Sequence, residues 1–479
     1  MRGEQSVVFI DSHAHLEDKK FSRDLEQALA RASDAGVERI VTVGDCAASS
    51  RKSVALAHRF EKLYATTGIH PHHVRQAAEE DYAALAALAD DPRVVAIGEV
   101  GLDYHYGSAE REAQKTAFRR QVNLARAKAV PLVVHCREAY DDLLEILERE
   151  RADEIGGVAH CFSGDLEAAR RLIEIGWYLG IGGPLTFAHA DPLREVVRTA
   201  PLERILLETD SPYLAPQAKR GRRNEPSYLK FVVKAVAELK DLSFQEVARI
   251  TKMNTVRLFN LPRHVSPEVA YSLKRSLYLN ITNQCTNNCW FCHRRRDYGW
   301  AGYNLHLETE PTLEQIRQRL ENVARYEEVV FCGIGEPTMR LDLLLRVAGE
   351  LKGRGIRVRL NTNGHGSLIN GENIAPKLAQ VFDTVSISLN AATAEEYNRI
   401  CNPKDPQRAF DAMLAFAKDI RKVVPDVYMT VVGAPGVDIE ACRKLAEGKL
   451  KVPLRVREYL SPPKSESAAL SPAEATSHL

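Results

Sequence analysis

Two β/α barrels in series, the first complete with eight strands, (β/α)8, and the second partial with six, (β/α)6, are the fold class this sequence predicts. Three observations predict it. Short β-rich apolar runs alternate with amphipathic helical stretches along nearly the whole chain; eight of the runs lie before residue 215 and six after residue 276; and histidines, carboxylates, cysteines and glycine-rich turns gather where runs end. A doubly wound sheet has the same alternation, but a barrel brings the C-terminal ends of distant strands to one face, where sites are built.

At 479 residues the chain exceeds one ordinary core, and the alternation divides it into a first domain over 1–261, a linker over 262–270, a second domain over 271–460 and a disordered tail over 461–479. Lys and Arg (65) balance Asp and Glu (64), so the formal charge of +1 excludes a global field for nucleic acid and leaves any such partner to a local patch. Nine cysteines, three at metal spacing and six scattered singly, argue against a disulfide framework. No basic leader precedes an apolar run and no stretch of about 18 apolar residues occurs, so a soluble, cytoplasmic protein with no membrane partner is expected.

The runs of the first domain are residues 7–10, 39–43, 63–68, 94–100, 131–135, 157–161, 177–181 and 205–208, with helical patterns such as 21–35, 114–129 and 166–175 between them. Asp11-Ser-His13-Ala-His15 ends the first run, Glu99 the fourth, His135 the fifth, His160 the sixth and Asp210 the eighth. Imidazole and carboxylate suit zinc, manganese or magnesium, and a carboxylate such as Glu99 can bridge two ions. Two ions about 3.5–4 Å apart activate water and hold both oxygens of a displacement. A lone H-x-H is often structural, and the coincidence of five strand ends is what points to a metal centre. Alternation along a strand turns Cys136 and Cys161 away from the histidines they follow, toward packing. Cations lie near these ends, where they could reach an anionic group at the barrel mouth: Arg137 lies two positions beyond His135, Lys219-Arg-Gly-Arg222-Arg223 follows the eighth run, and His70 and His72 flank Pro71 where substrate or metal would be touched.

These segments carry a resemblance. Phe9 to Leu16, Gly68 to Pro71, Gly98 to Asp103, His135 to Glu138, His160 to Gly164, Glu208 to Tyr213, Arg223 to Tyr228 and the closing Met253 to Phe259 resemble, in that order, the TatD family of metal-dependent hydrolases. The resemblance implies a two-metal phosphodiesterase, usually a 3′-to-5′ exonuclease on DNA or RNA. By position it implies His13, His15, Glu99, His135, His160 and Asp210 as ligands, with Asp210 and Glu99 catalytic and Asp210 also orienting the attacking water.

Residues 261–270, with two prolines and little apolar period, read as the linker. Beyond it the runs are 277–281, 328–332, 357–360, 384–389, 427–432 and 454–459. The first is followed by Cys285, Cys289 and Cys292, a C-x3-C-x2-C group that can hold three irons of a four-iron cluster and leave one iron open; a zinc site is the competing reading of the spacing alone. The second run is followed by Gly333-Ile-Gly335-Glu336-Pro337. Gly333 and Gly335 let the backbone approach a ligand closely, and Glu336 offers an acceptor to a cationic ammonium. Asn361, Asn363, Ser386, Ser388 and Asn390 are amides and hydroxyls at adjacent strand ends, suited to ribose and carboxylate contacts.

The cysteine loop, with Phe291 just before its last cysteine, and the Gly333 to Pro337 turn resemble the radical SAM superfamily. That resemblance implies a [4Fe-4S] cluster on the three cysteines, S-adenosyl-L-methionine chelating the open iron, a 5′-deoxyadenosyl radical and an external electron donor. Ile334 stands where many members carry another glycine. Cys401 and Cys442 stand alone, so auxiliary clusters are not expected, and packing is the reading for single thiols.

Taken together, the expectation is a bifunctional enzyme, a metal-dependent phosphodiesterase or nuclease of DNase type joined to a radical SAM domain, with a nucleic acid or nucleotide as substrate. Two alternatives stand beside it: a metal-dependent amide or ester hydrolase acting on the radical product, and a first barrel that only docks nucleic acid. The complete ligand set disfavours the docking module. The sequence assigns no oligomeric state.

Overall fold

The structure, a computed structural model, describes residues 7–105, 110–262, 266–295 and 301–459. The expected tail over 461–479 and positions 263–265 of the expected linker lie outside the described residues. The chain falls into two compact units, one described as far as residue 262 and the other from residue 266.

In the first unit eight parallel strands follow one another around a barrel: β1 (Phe9–Ala14), β2 (Val37–Thr42), β3 (Leu63–Thr67), β4 (Val94–Asp103), β5 (Leu132–Arg137), β6 (Gly157–Ala159), β7 (Tyr178–Ile181) and β8 (Ile205–Leu207). The ring is drawn together at its mouth, where Ala14 bridges Ser211 and the His15 N–H donates to the Ser211 carbonyl at 2.7 Å. Strands covered on both faces read as apolar runs rather than alternations, and β1, β3, β4 and β7 are buried at every position. Helices cover the outside; Arg111–Lys128, for instance, buries Ala117, Phe118, Gln121, Val122 and Ala125 on one face and exposes its charges on the other.

Three of these strands run past the ends the sequence predicts: β1 continues through His13 to Ala14, β4 past Val100 to Asp103 and β5 past His135 to Arg137. A polar residue ends an apolar run on paper, yet here it faces a mouth that needs it. In β4 the pairing with β5 shifts between Ile97 and Val100, at the cis Gly98–Glu99 peptide, and resumes as Val100 opposite Val134 and Asp103 opposite Arg137. Such a bulge re-aims one side chain without ending the strand. Gly98 is required by space, since a Cβ there would lie 2.5 Å from the Val133 Cβ.

The second unit has a seven-stranded sheet in the order β15-β14-β13-β12-β11-β10-β9. Its strands are β9 (Ala270–Leu273), β10 (Ser276–Leu279), β11 (Glu328–Phe331), β12 (Arg357–Thr362), β13 (Thr384–Ser388), β14 (Asp426–Val432) and β15 (Leu454–Arg457). β10 to β15 are the six parallel strands of the partial barrel. β9 is an addition that the linker reading missed: it runs antiparallel to β10 and covers that edge, and just before it the Glu268 N–H donates to the Asn304 carbonyl at 2.8 Å. Residues 266–270 are therefore part of the second unit rather than free linker. Leu277, Leu279, Val329, Phe331, Val358, Leu360, Val385 and Ile387 face the helices as one core. Alternation therefore leaves Tyr278, Arg359, Asn361, Ser386 and Tyr428 to the concave side. Among the described residues no helix is long and apolar enough to cross a membrane.

Candidate active sites

At the mouth of the first barrel the two oxygens of Glu99 face different histidines. Oε2 lies 3.4 Å from His15 Nε2 and 3.6 Å from His13 Nε2. Oε1 lies 3.1 Å from His160 Nε2 and 3.2 Å from His135 Nδ1. Asp210 Oδ1 joins the first set, 3.5 Å from His15 Nε2 and 3.7 Å from His13 Nε2. Asp210 reaches the mouth because the chain turns sharply after β8: its φ is +56°, a left-handed conformation that Asp tolerates, and its N–H donates to the His13 carbonyl. All six residues expected as ligands thus converge, from five strands or their ends, and among the described residues three groups in this cluster could each hold an ion: His13–His15–Glu99, His13–His160–Asp210 and His70–Glu99–His135.

Burial opposes charge on Glu99, yet the neighbouring His160 and His70 hold its pKa well below the ordinary range. Burial likewise disfavours charge on His160 and His15, and their carboxylate neighbours still draw both well above ordinary imidazole. His13 is pushed down by burial and by His160, whose ring stacks on it at 3.7 Å. So dense a set of buried donors, with carboxylates and imidazoles pressed together, suits divalent cations.

Behind the ligands stand carboxylates that the sequence reading left unassigned. Asp103 Oδ2 accepts from His135 Nε2 at 3.0 Å and lies 3.0 Å from His72 Nε2. Glu208 Oε1 lies 3.2 Å from His160 Nδ1 and accepts from the Cys161 N–H at 2.5 Å. Asp11, buried, accepts from the N–H groups of His13 and Thr209 and from the Thr209 hydroxyl, and burial pushes its pKa up to about 8. Of these, Asp103 engages a ring nitrogen directly and fixes which one His135 presents to the mouth. The signal was the period of two: Glu99, Gly101 and Asp103 alternate along one strand, as do Glu208 and Asp210 in sequence.

The expected phosphate contacts divide. His70 lies at the mouth, its Nε2 3.5 Å from Glu99 Oε1, and its Nδ1 accepts from the His72 N–H. Burial pushes its pKa down to about 3, so the ring is neutral, and His70 forms with Glu99 and His135 a group that could hold a metal ion. Arg137 closes β5, on the face that His135 occupies. Arg222 is exposed in the loop after β8. Arg223 departs from expectation: its guanidinium grips Asp24 at 2.6 and 2.8 Å and stacks on Phe21, tying the loop to the barrel wall. A bidentate carboxylate occupies the fork that a phosphate would need.

In the second unit Cys285, Cys289 and Cys292 lie on the loop after β10. The Asn287 N–H approaches Cys285 Sγ at 3.4 Å and the Arg294 N–H approaches Cys292 Sγ at 3.5 Å, while Cys289 packs against Cys401. Burial raises the Cys285 thiol to about 12, so the unligated thiol is protonated at neutral pH.

Gly333 and Gly335 lie where a Cβ would meet Asn280 Oδ1 at 1.9 Å and the Thr282 carbonyl at 2.2 Å, which demands glycine at both. Asn361 Oδ1 is buried and without a hydrogen-bond partner, an acceptor suited to a bound ligand. Ser388 ends β13, and Asn390, at φ +58°, uses its amide oxygen to accept from the Val432 N–H. Pro337 begins a short turn behind Glu336. Glu336 itself departs from expectation. It is buried and accepts from the Thr338 N–H and hydroxyl, the Thr362 hydroxyl and the Asn363 N–H at 2.7 to 3.1 Å, so it braces two loops and is not an acceptor held ready for an ammonium.

Comparison with known proteins matches the two units separately. The TatD related DNase family matches residues 10–260, and the Radical SAM superfamily matches residues 279–447. Over 254 residues, 53% of this chain and 100% of the relative, the chain is 42% identical to the uncharacterized metal-dependent hydrolase YabD of Bacillus subtilis. It is 37% identical over 258 residues, 53% of this chain and 99% of the relative, to the 3′-5′ ssDNA/RNA exonuclease TatD of Erwinia billingiae. The crystal structure of a TatD homologue from Escherichia coli superposes with a TM-score of 0.51 at 33% identity, covering 53% of this chain and 98% of that one.

Proposed function

The chain belongs, through its first half, to the TatD related DNase family, and from that premise we propose that its first barrel is a two-metal 3′-to-5′ exonuclease on single-stranded nucleic acid, joined to a radical SAM enzyme. The chain carries a metal-dependent hydrolase domain and a radical SAM domain. The observation that carries the first reading is the division of Glu99, one oxygen toward His13 and His15 and the other toward His135 and His160.

His13, His15, Glu99 and Asp210 would hold one divalent ion, and Glu99, His135 and His160 the other. Two such ions, magnesium, manganese or zinc, would supply charge that acidifies water and steadies the phosphoryl oxygens. Asp210, ionised because His15 and His160 offset its burial, takes the proton of the attacking water. His70 donates its Nε2–H to a phosphate oxygen, and Arg137 adds positive charge beside it. In the second unit Cys285, Cys289 and Cys292 hold the cluster; Gly333, Gly335, Asn361, Ser388 and Asn390 line the place of S-adenosyl-L-methionine. When bound and reduced by an external donor, that pair supplies a 5′-deoxyadenosyl radical for hydrogen abstraction.

A 5′-labelled single-stranded oligonucleotide, incubated with manganese or magnesium, tests the first reading. Wild type should shorten it progressively from the 3′ end and Asp210→Ala should not. Equal inertness of both proteins, with ester or amide substrates turned over by wild type alone, would replace the nuclease by a small-molecule hydrolase.

A further inference from the structure

Asn363, on the turn after β12, has its N–H and its whole side-chain amide committed. Its N–H donates to Glu336 Oε2 at 2.7 Å, and its side-chain oxygen accepts from the His365 N–H at 2.9 Å. That second bond fixes the amide, because a flipped Asn363 would set an NH2 group against an N–H. The two hydrogens of Nδ2 then have defined acceptors: the Thr286 hydroxyl at 2.8 Å and the sulfur of Cys285 at 3.7 Å.

Behind this amide lies a chain of buried and partly buried polar groups. Thr286, the residue after Cys285, pairs through its hydroxyl with His365 Nδ1 at 2.9 Å. His365 Nε2 pairs with the Tyr397 hydroxyl at 3.1 Å, and that hydroxyl accepts from Asn287 Nδ2 at 2.9 Å. His365 is 1% exposed and Tyr397 fully buried, and burial pushes the His365 pKa down to about 4, so the ring is neutral. Both its nitrogens are used in either tautomer. The chain thus clamps the two residues that follow Cys285, from the side of the sheet, and returns to the amide that touches the sulfur.

We infer that Asn363 is a positioning residue for the cluster: it donates an N–H···S hydrogen bond to Cys285 that makes the cluster easier to reduce, and the Thr286–His365–Tyr397–Asn287 chain holds it in place. A donor at a ligand sulfur stabilises the more negative, reduced state, and hydrogen bonds to sulfur are one of the levers that set cluster potentials. One electron from the external donor enters the cluster and no bond is made or broken at Asn363. The inference rests on the three cysteines holding a cluster, as proposed above.

The experiment is an anaerobic, EPR-monitored reductive titration with dithionite of the full chain, reconstituted with iron and sulfide, as wild type, Asn363→Leu and Tyr397→Phe. In Asn363→Leu the midpoint should move to more negative potential by enough to lower the reduced-to-oxidised ratio about tenfold at fixed potential, which is about 59 mV for one electron. Tyr397→Phe, which removes one hydroxyl, should move it in the same direction by less. It also decides the matter should Asn363→Leu assemble no cluster. Wild-type midpoints in variants that hold wild-type iron overturn the inference, as does a fall in iron content with no change of midpoint, which marks a merely structural role. Failure of wild type to assemble any cluster would instead remove the assignment of the cysteines.

Discussion

Asp103 Oδ2 lies 3.0 Å from His135 Nε2, which commits that nitrogen to a hydrogen bond and leaves Nδ1, 3.2 Å from Glu99 Oε1, as the one that faces the barrel mouth. A ligand histidine held in this way presents one tautomer, and the carboxylate behind it raises its basicity. Asp103→Ala should therefore weaken metal binding at the His135 and His160 set by about 10–100-fold while sparing the His13 and His15 set. Manganese titration by calorimetry reads this as one of two binding steps lost. Two unchanged steps would mean that Asp103 orients nothing.

Arg137 and Arg223 should separate substrate binding from structure. Arg137→Ala should raise KM for an oligonucleotide and make it less sensitive to salt, as loss of a phosphate contact does. Arg223→Ala should leave both unchanged, since its guanidinium is already engaged by Asp24, and should cost about 1 kcal/mol or more in stability, because the pair is bidentate and partly buried. A raised KM in Arg223→Ala would return that residue to the substrate path.

Much of this was legible because a barrel folds strand ends onto one face: His13, His15, Glu99, His135, His160 and Asp210 could be placed together from position alone, though they span nearly two hundred residues. What was not legible depends on where a side chain turns. Nothing in Lys219 to Arg223 distinguishes a cation facing substrate from one facing Asp24, because the partner is on a distant helix. Glu336 reads as a ligand contact until the donors of Thr338, Thr362 and Asn363 are seen around it. β9 was hidden because its four residues follow two prolines and carry no long apolar run.

Burial of His365 as a neutral ring sets a pH dependence for the second unit. Its folded pKa, about 4, lies below the unfolded value of about 6.5, so between these the unfolded chain binds a proton that the folded chain does not. The stabilisation is complete above about pH 6.5 and lost as pH falls toward 4, on the order of 3 kcal/mol in total. Urea unfolding of wild type and His365→Gln, at pH 7 and pH 4.5, should show the stability difference shifting toward the variant at the lower pH. A difference independent of pH contradicts the neutral, buried state.

Replacing Cys285, Cys289 or Cys292 singly by Ala should abolish both cluster absorption after anaerobic reconstitution and release of 5′-deoxyadenosine from S-adenosyl-L-methionine. Cys401→Ala should retain both, since Cys401 is a fully buried packing residue beside Cys289. Loss of the cluster in Cys401→Ala alone would reassign the ligands.

The account turns on Glu99 serving two ions at once. Anomalous diffraction from crystals soaked in manganese tests this most directly. Two peaks about 3.5–4 Å apart, one on the His13 and His15 side of the carboxylate and one on the His135 and His160 side, are predicted. A single peak, or a second one away from Glu99, would contradict it.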